Sequence, residues 1–561
     1  MRISNKNELS RRQWLGRTIP AAAAIGAGIM GVQASAAPTD NPDEETLFGG
    51  KTYNIKDFGA RGDGKTLNSI AIQSCIDKCY SESGGTVLVP AGDFLCGTIE
   101  LKSNVTLHIS AQGRLLGSPR REDYSAGKGV PPGNGNVVFI YAVKADNLSI
   151  QGKGRIDGNG AAFYKGKGDN TGPGQHGVGG YFDRPHLMIF NECNNLFLRN
   201  AFFVSSAYHC CRILRCQQVH IDGIRINNRV NKNNDGFHFN DCQYVHIVNC
   251  DIKCQDDACA LFGSNKFVTI SNCSFSTRWS IFRFGSGASE NIAVSNCLIY
   301  DTYGCPIKIS AGSASIENFT FSNIIMKNVT GPIGIGFSGP NPNTAQGNTK
   351  PFIRNITFNG IRATTVKQPV NHPDIPFDVS VREGEKNSCI TLNAMGDYYL
   401  ENISFTDVHV TYAGGGTAEQ AAKRDIPTIA AEYFGVWDPA PGGPPAYGLY
   451  ARNVKGLTLQ NVRFEYENAD LRPAMIFDNV QDASVVGFSA RGNPKTELIR
   501  INSSKDILFS GIRVMTPAKA LLQVEGPGST NIVVDGGDWR KAVNIVAYKR
   551  GAAKNAVYIR K

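Results

Sequence analysis

The sequence predicts an all-β fold, a solenoid of the parallel β-helix type with an N-terminal cap, and three observations carry that expectation. Short alternating segments recur as Leu196-Phe197-Leu198, Val219-His220-Ile221, Val245-His246-Ile247, Val268-Thr269-Ile270, Ile292-Ala293-Val294 and Phe319-Thr320-Phe321. Their starts lie 23, 26, 23, 24 and 27 residues apart, and further copies follow at Ile356, Ile403, Leu457, Ile507 and Ile532. A period in the low twenties built from strand-like copies is the signature of stacked coils. Asparagines stand at one place in successive copies, Asn249, Asn272, Asn296 and Asn323, where a turn residue must tolerate left-handed backbone and its amide can bond from coil to coil. Helical periodicity is almost absent, and the regular leucine consensus of leucine-rich repeats is missing.

The elements follow in chain order. Residues 1–37 read as a twin-arginine signal: Ser10-Arg11-Arg12-Gln13-Trp14-Leu15, an apolar Ala- and Gly-rich run from Ile19 to Val32, then Ala34-Ser35-Ala36-Ala37. The run is short for a membrane span. A periplasmic or extracellular protein, free of the membrane after signal removal, is the expectation. Residues 38–48 read as a linker. Residues 49–130 hold the N-terminal cap and first coils, and Ser69–Tyr80, with apolar Ile70, Ile72, Ile76 and Cys79, predicts the helix that covers the open end. Residues 131–545 form the β-helix, with long insertions after Arg362, and residues 546–561 a C-terminal tail. The Gly-rich stretch Lys165 to Gly180 reads as a further loop, without the strand-to-helix context of a phosphate-binding loop.

Composition narrows the function classes. The chain is 41% hydrophobic with a net charge of +10; the first 36 residues hold five basic residues and one acid, leaving 53 basic against 47 acidic residues, or +6. That mild excess suits an anionic substrate. No dense basic run or binding motif points to nucleic acid. Fifteen cysteines in an exported chain invite disulfides, but Cys250, Cys273 and Cys297 each follow an asparagine at steps of 23 and 24 residues. Equal placement predicts reduced thiols stacked in a core. No CxxC pair or His cluster has zinc spacing.

The chemistry-bearing residues are three carboxylates, Asp235 in Asn233-Asn234-Asp235-Gly236 and Asp256-Asp257 in Gln255-Asp256-Asp257-Ala258. The 21-residue step from Asp235 to Asp256 is close to one coil, and neighbouring strands lie ~4.8 Å apart. Carboxylates so close cannot all ionise easily, so one keeps a proton near neutrality. A protonated acid beside ionised partners is what glycosidic cleavage needs. A calcium site or solvated turn acids would be the better explanation of an isolated Asp-Asp pair, and it is the neighbouring rungs that change the weighting. Arg278, Arg283 and Lys308 follow at roughly one and two coils and would suit a sugar bearing carboxylates.

Tyr53-Asn54-Ile55-Lys56-Asp57-Phe58-Gly59-Ala60-Arg61-Gly62-Asp63-Gly64 resembles the opening of pectin-degrading β-helix enzymes. Gly154-Arg155-Ile156-Asp157-Gly158-Asn159-Gly160, Asn233-Asn234-Asp235-Gly236 and Gln255-Asp256-Asp257 are similar to blocks of glycoside hydrolase family 28, the polygalacturonases and their relatives. The resemblance runs over about residues 50 to 340 and more loosely from Pro445 to Val480. It implies a right-handed parallel β-helix and inverting hydrolysis of pectin-type, uronate-containing glycans without metal or cofactor. By the family's roles Asp256 would be the general acid, Asp235 and Asp257 would hold the attacking water, and Asn233, His238, Arg278, Arg283 and Lys308 would contact substrate. Two blocks depart from the pattern. Arg278-Trp279-Ser280-Ile281-Phe282-Arg283 stands where the family has Gly-His-Gly, and Pro306-Ile307-Lys308 where it has Arg-Ile-Lys. Arg283 could replace the lost charge, and His209 or His238 could stand near the lost histidine. The competing functions are a polysaccharide lyase on the same architecture and a non-catalytic carbohydrate-binding solenoid.

Overall fold

The computed structural model describes residues 50–133, 135–163, 184–312, 314–337, 350–368, 370–372, 385, 387–394, 396–424, 426 and 442–560. The signal, the linker up to residue 49 and the stretch Lys165 to Gly180 lie outside the described residues. Every ladder between described strands is parallel, from Thr52–Asn54 on Gly85–Val89 to Thr530–Asp538 on Val557–Arg560. Each strand pairs with its equivalents one coil before and one coil after, which makes the chain a right-handed parallel β-helix.

Three sheets run along the axis. In the second sheet, Leu148, Leu196, Val219, Val245, Val268, Ile292, Phe319, Ile356, Ile403 and Leu457 stand in register as one inward column. All are buried, while the alternating residues, such as His220, point out. The first sheet positions the site. Its strands there are β1 (Cys211–Leu214), β2 (Phe237–Asn240), β3 (Cys259–Phe262), β4 (Phe282–Gly285) and β5 (Ile307–Ala311).

The asparagine turns take the expected conformation: φ is 59°, 54°, 54° and 53° at Asn249, Asn272, Asn296 and Asn323. Asn323 donates its amide to Asn296 Oδ1 at 3.2 Å, and Asn249 donates to Asp222 Oδ1 at 2.9 Å. All fifteen cysteines are buried without disulfides. Cys250, Cys273 and Cys297 stack as predicted, with the Cys250 N–H pointing at Cys273 Sγ across 3.4 Å.

Coils start at Thr52, within the stretch read as cap and first coils, while one boundary differs: the expected tail 546–561 carries the strand Val557–Arg560 paired on Thr530–Asp538. Its half-exposed and exposed residues give no buried stripe to read. The cap helix α1 spans Ser69–Ser81 and buries Ile72, Cys75, Ile76 and Cys79. Ile70, expected on that face, is 85% exposed, because two residues of helical turn carry it to the opposite side from Ile72.

Insertions after Arg362 are gathered by one buried pair. Asp470 holds Arg472 through Oδ2 at 2.8 Å and accepts the Gly416 N–H, while Arg472 Nη1 donates to the carbonyls of Asn387, Pro444 and Ala446. The short helix α2 (Ala418–Ala422) beside it is closed by a Thr417–Gln420 capping box. Among the described residues no helix is long and apolar enough to cross a membrane.

Candidate active site

The site sits where the chain bends into β1 to β5. The bend before β2 is built residue by residue. Asn234 donates to the carbonyls of Ser206 and Tyr208 at 3.0 and 2.9 Å and accepts the Asn231 N–H. Asn233 takes φ 55°. Gly236 is required by space, since a Cβ there would lie 2.4 Å from the Ala258 carbonyl oxygen. This bend leaves Asp235 aimed outward and nearly sealed.

The pairing of β2 with β3 sets Phe237 against Cys259, so Asp235 stands opposite Asp257 on the next rung and Asp256 opposite Asn234. The 21-residue step thus misjudged the register by one. The acids still converge, with Cα atoms of the facing pair ~4.8 Å apart. Asp235 Oδ2 lies 3.0 Å from His238 Nδ1, and its Oδ1 3.7 Å from His209 Nε2. Asp257 Oδ2 is 2.9 Å from Arg283 Nη1, and its Oδ1 accepts the Ser280 N–H at 3.3 Å. Asp256 accepts its neighbour's N–H on Oδ1 and Asn233 Nδ2 on Oδ2 at 3.3 Å.

Burial pushes both Asp235 and Asp256 well above the usual carboxylate range, and the other carboxylates of the set add to it. The two differ in their compensation. Asp235 is countered by the charges of Arg283, Arg212 and Arg184, and Asp256 by that of Arg283. The two acids therefore titrate together and retain a proton between them above the ordinary carboxylate range. Burial also drives His209 well down and His238 to about 3, so both imidazoles are neutral, and His238 Nδ1 and Asp235 Oδ2 share a hydrogen bond at 3.0 Å.

One outward row of the first sheet runs Arg212, His238, Ala260, Arg283, Lys308. Lys308 is buried, and burial lowers its pKa, with Arg283 adding to the effect. Its Nζ sits 4.9 Å from the Trp279 ring. Arg278 Nη2 faces Glu385 at 3.5 Å, both side chains buried. Of the residues expected to contact substrate, all five surround the acids, but Arg283 and Arg278 already face internal carboxylates. The sequence reading assigned nothing to Arg184, Arg212, Trp279 or Glu385. Arg212 was findable from its place 26 residues before His238 and 71 before Arg283, about one and three coils; Glu385 comes from an insertion and had no local signal.

His209, Asp235 and His238 each offer a donor atom within 4.8 Å of the others, the grouping among the described residues that could hold a metal ion. The charges of Arg212, Arg184 and Arg283 act on that carboxylate and oppose a divalent cation there.

The model of glycosyl hydrolases family 28 matches residues 79–419. The chain belongs to glycoside hydrolase family 28. This family 28 hydrolase is 27% identical over 386 residues to an exopolygalacturonase of Zea mays, covering 65% of this chain and 85% of the relative. It is 26% identical over 358 residues to polygalacturonase-2 of Solanum lycopersicum, covering 61% and 74%. A crystal structure of an exopolygalacturonase from Thermotoga maritima aligns at 17% identity and TM-score 0.48, covering 75% of this chain and 95% of that one. The departures at Trp279 and Pro306 fall within the matched residues.

Proposed function

We propose that this hydrolase cleaves galacturonan of pectin, or its oligosaccharides, by inverting acid/base hydrolysis. Asp256 protonates the leaving oxygen, and Asp235 and Asp257 hold and activate the attacking water. The observation that carries the reading is the three-carboxylate set on two consecutive rungs, in which burial and mutual charge hold a proton on the Asp235 and Asp256 pair while Arg283 pairs with Asp257. Lys308, buried and in no ion pair with a described carboxylate, takes a uronate carboxylate of the substrate. His238 orients Asp235. The activity is exerted in the periplasm or outside the cell, after twin-arginine export read from residues 1–37, with no membrane or nucleic-acid partner and no cofactor.

Incubation of the purified protein with polygalacturonate and defined oligogalacturonates tests this. The expected products are saturated, seen by mass, and of inverted anomeric configuration at early times by NMR. Products absorbing in the near ultraviolet through a new double bond would instead establish a lyase.

A further inference from the structure

The two ends of the solenoid are finished differently. Helix α1 packs over the first, whereas the last strands, Ala542–Lys549 and Val557–Arg560, pair on one side only, with Ala518–Glu525 and Thr530–Asp538. No further described strand pairs with their outer edges, which leaves backbone N–H and C=O groups facing solvent. Ile545, Val546, Tyr548, Val557 and Ile559 pack on the core yet are only half-buried, and Val543 and Tyr558 are 81% and 64% exposed. The positive charge of the chain collects at this end. Residues 50–537 hold 46 basic and 42 acidic residues, a net +4, whereas residues 538–561 hold seven basic and one acidic, a net +6. Arg540 faces Asp538 at 2.9 Å and Arg560 faces Asp535 at 3.6 Å. Lys541, Lys549, Arg550 and Lys554 are exposed and form no ion pair with a carboxylate among the described residues.

A bare sheet edge invites a strand of another chain, and six net positive charges on each copy oppose that pairing. The charge that repels a second copy attracts a polyanion. We propose that this end of the solenoid is a second glycan-binding site, a cationic plate on which Lys541, Lys549, Arg550 and Lys554 hold the carboxylates of polymeric galacturonan. An anionic lipid surface fits less well, since interfacial binding needs a broad apolar face and the exposed large apolar side chains of this coil are Val543 and Tyr558. The inference rests on the galacturonan reading above and adds a place that holds the polymer without doing chemistry on it. Eight ladders separate Arg283 from Ala547 along the first sheet, about 38 Å at ~4.8 Å each. A polymer chain reaches from the acids to the plate and a trisaccharide does not. Holding the polymer at the plate therefore raises its effective concentration at the acids and leaves the chemical step alone.

The triple variant Lys549→Gln/Arg550→Gln/Lys554→Gln tests it, since all three positions are exposed and outside the core. In an Asp256→Asn background, where binding is read without turnover, the three changes should lower affinity for immobilised polygalacturonate about 10-fold. Fully methyl-esterified pectin, whose carboxylates are masked, should show no difference between the two proteins. With Asp256 restored, the triple variant should raise KM for polygalacturonate about 5-fold or more, with kcat and both constants for trigalacturonate changed less than about 1.5-fold. Equal affinity of the two proteins for polygalacturonate overturns the plate. A protein that sediments with phosphatidylglycerol vesicles and ignores polygalacturonate overturns it in favour of a membrane, and a wild-type dimer that the triple variant loses overturns it in favour of a second copy. Failure of the substrate reading shows differently: wild type would leave trigalacturonate and polygalacturonate uncleaved, while the Asp256→Asn protein still bound polygalacturonate through the three bases, and the plate would stand.

Discussion

Arg283 Nη1 lies 2.9 Å from Asp257 Oδ2, reaching back one rung to a carboxylate that is almost wholly buried. The same guanidinium lowers the proton affinity of Asp235 and Asp256, so one side chain pairs with one acid and acts on the charge of the other two. Replacing it is therefore informative about all three acids.

Arg283→Gln should cost about 3 kcal/mol of stability in chemical denaturation, because it strands a buried carboxylate without its counter-charge. It should also move the acid limb of the pH–rate profile to higher pH. The sign follows from the geometry: without the guanidinium the carboxylates that must ionise hold their protons to higher pH. An unmoved limb would mean that the Arg283 charge does not reach the catalytic ionisation.

Asp256→Asn should cut kcat by ~10²-fold or more. Asparagine keeps the shape and the hydrogen bond from Asn233 but cannot donate a proton to a leaving oxygen. A substrate whose leaving group needs no protonation should be partly spared in this variant and not spared in Asp235→Asn. Near wild-type turnover of the natural glycan by Asp256→Asn would remove Asp256 from the donor role.

The same substitution has a stability signature with a defined sign. The Asp256 pKa is raised in the fold, so its contribution is fully present below its unfolded value of 3.8 and is lost as pH rises through the folded value. The melting temperature of Asp256→Asn minus that of wild type should therefore increase from pH 4 to pH 8. A flat difference would show that Asp256 is solvated rather than buried.

His238 acts in the opposite direction. Its pKa falls from 6.5 to about 3 in the fold, so its contribution is present above 6.5 and is lost as pH falls toward 3. His238→Gln should lose less stability than wild type across that interval in a pH series of thermal melts, and an identical slope would count against a neutral, buried imidazole.

Thiol titration should find all fifteen cysteines free in the denatured, unreduced protein and almost none reactive in the native one. Burial pushes thiols such as Cys96, Cys242 and Cys297 up to about 12, far from the thiolate that reacts. Finding few free thiols after denaturation would contradict the stacked arrangement.

The solenoid was legible because each coil repeats the same physical demand: an apolar residue inward, a polar one outward, and a left-handed turn where asparagine serves. Spacing alone thus located the columns through Val219 and Val245 and the turns at Asn249 and Asn272. The acids were legible from the same period, but their exact facing was not, since bends differ in length by a residue and only the ladder shows Asp235 against Asp257. The last strand, Val557–Arg560, escaped because a terminal coil buries little. Glu385 escaped because its partner, Arg278, lies far away in sequence and is joined to it only by the fold. Trp279 was visible as a departure, but that Gly304 packs against it and Lys308 lies over its ring is shown only by the fold.

The Asp470–Arg472 pair makes the late insertions interdependent. One guanidinium holds the carbonyls of Asn387, Pro444 and Ala446, and its partner holds the Gly416 amide. These backbone segments come from three separate stretches of chain, yet they share a single point of attachment. Loosening any one of them leaves the others tied to the coil, whereas losing Arg472 frees the carbonyls of Asn387, Pro444 and Ala446 at once and leaves Asp470 with the Gly416 amide and without its counter-charge. Replacing Arg472 should therefore release the chain around Asn387 and around Pro444 together, where loosening either one alone leaves the other fastened.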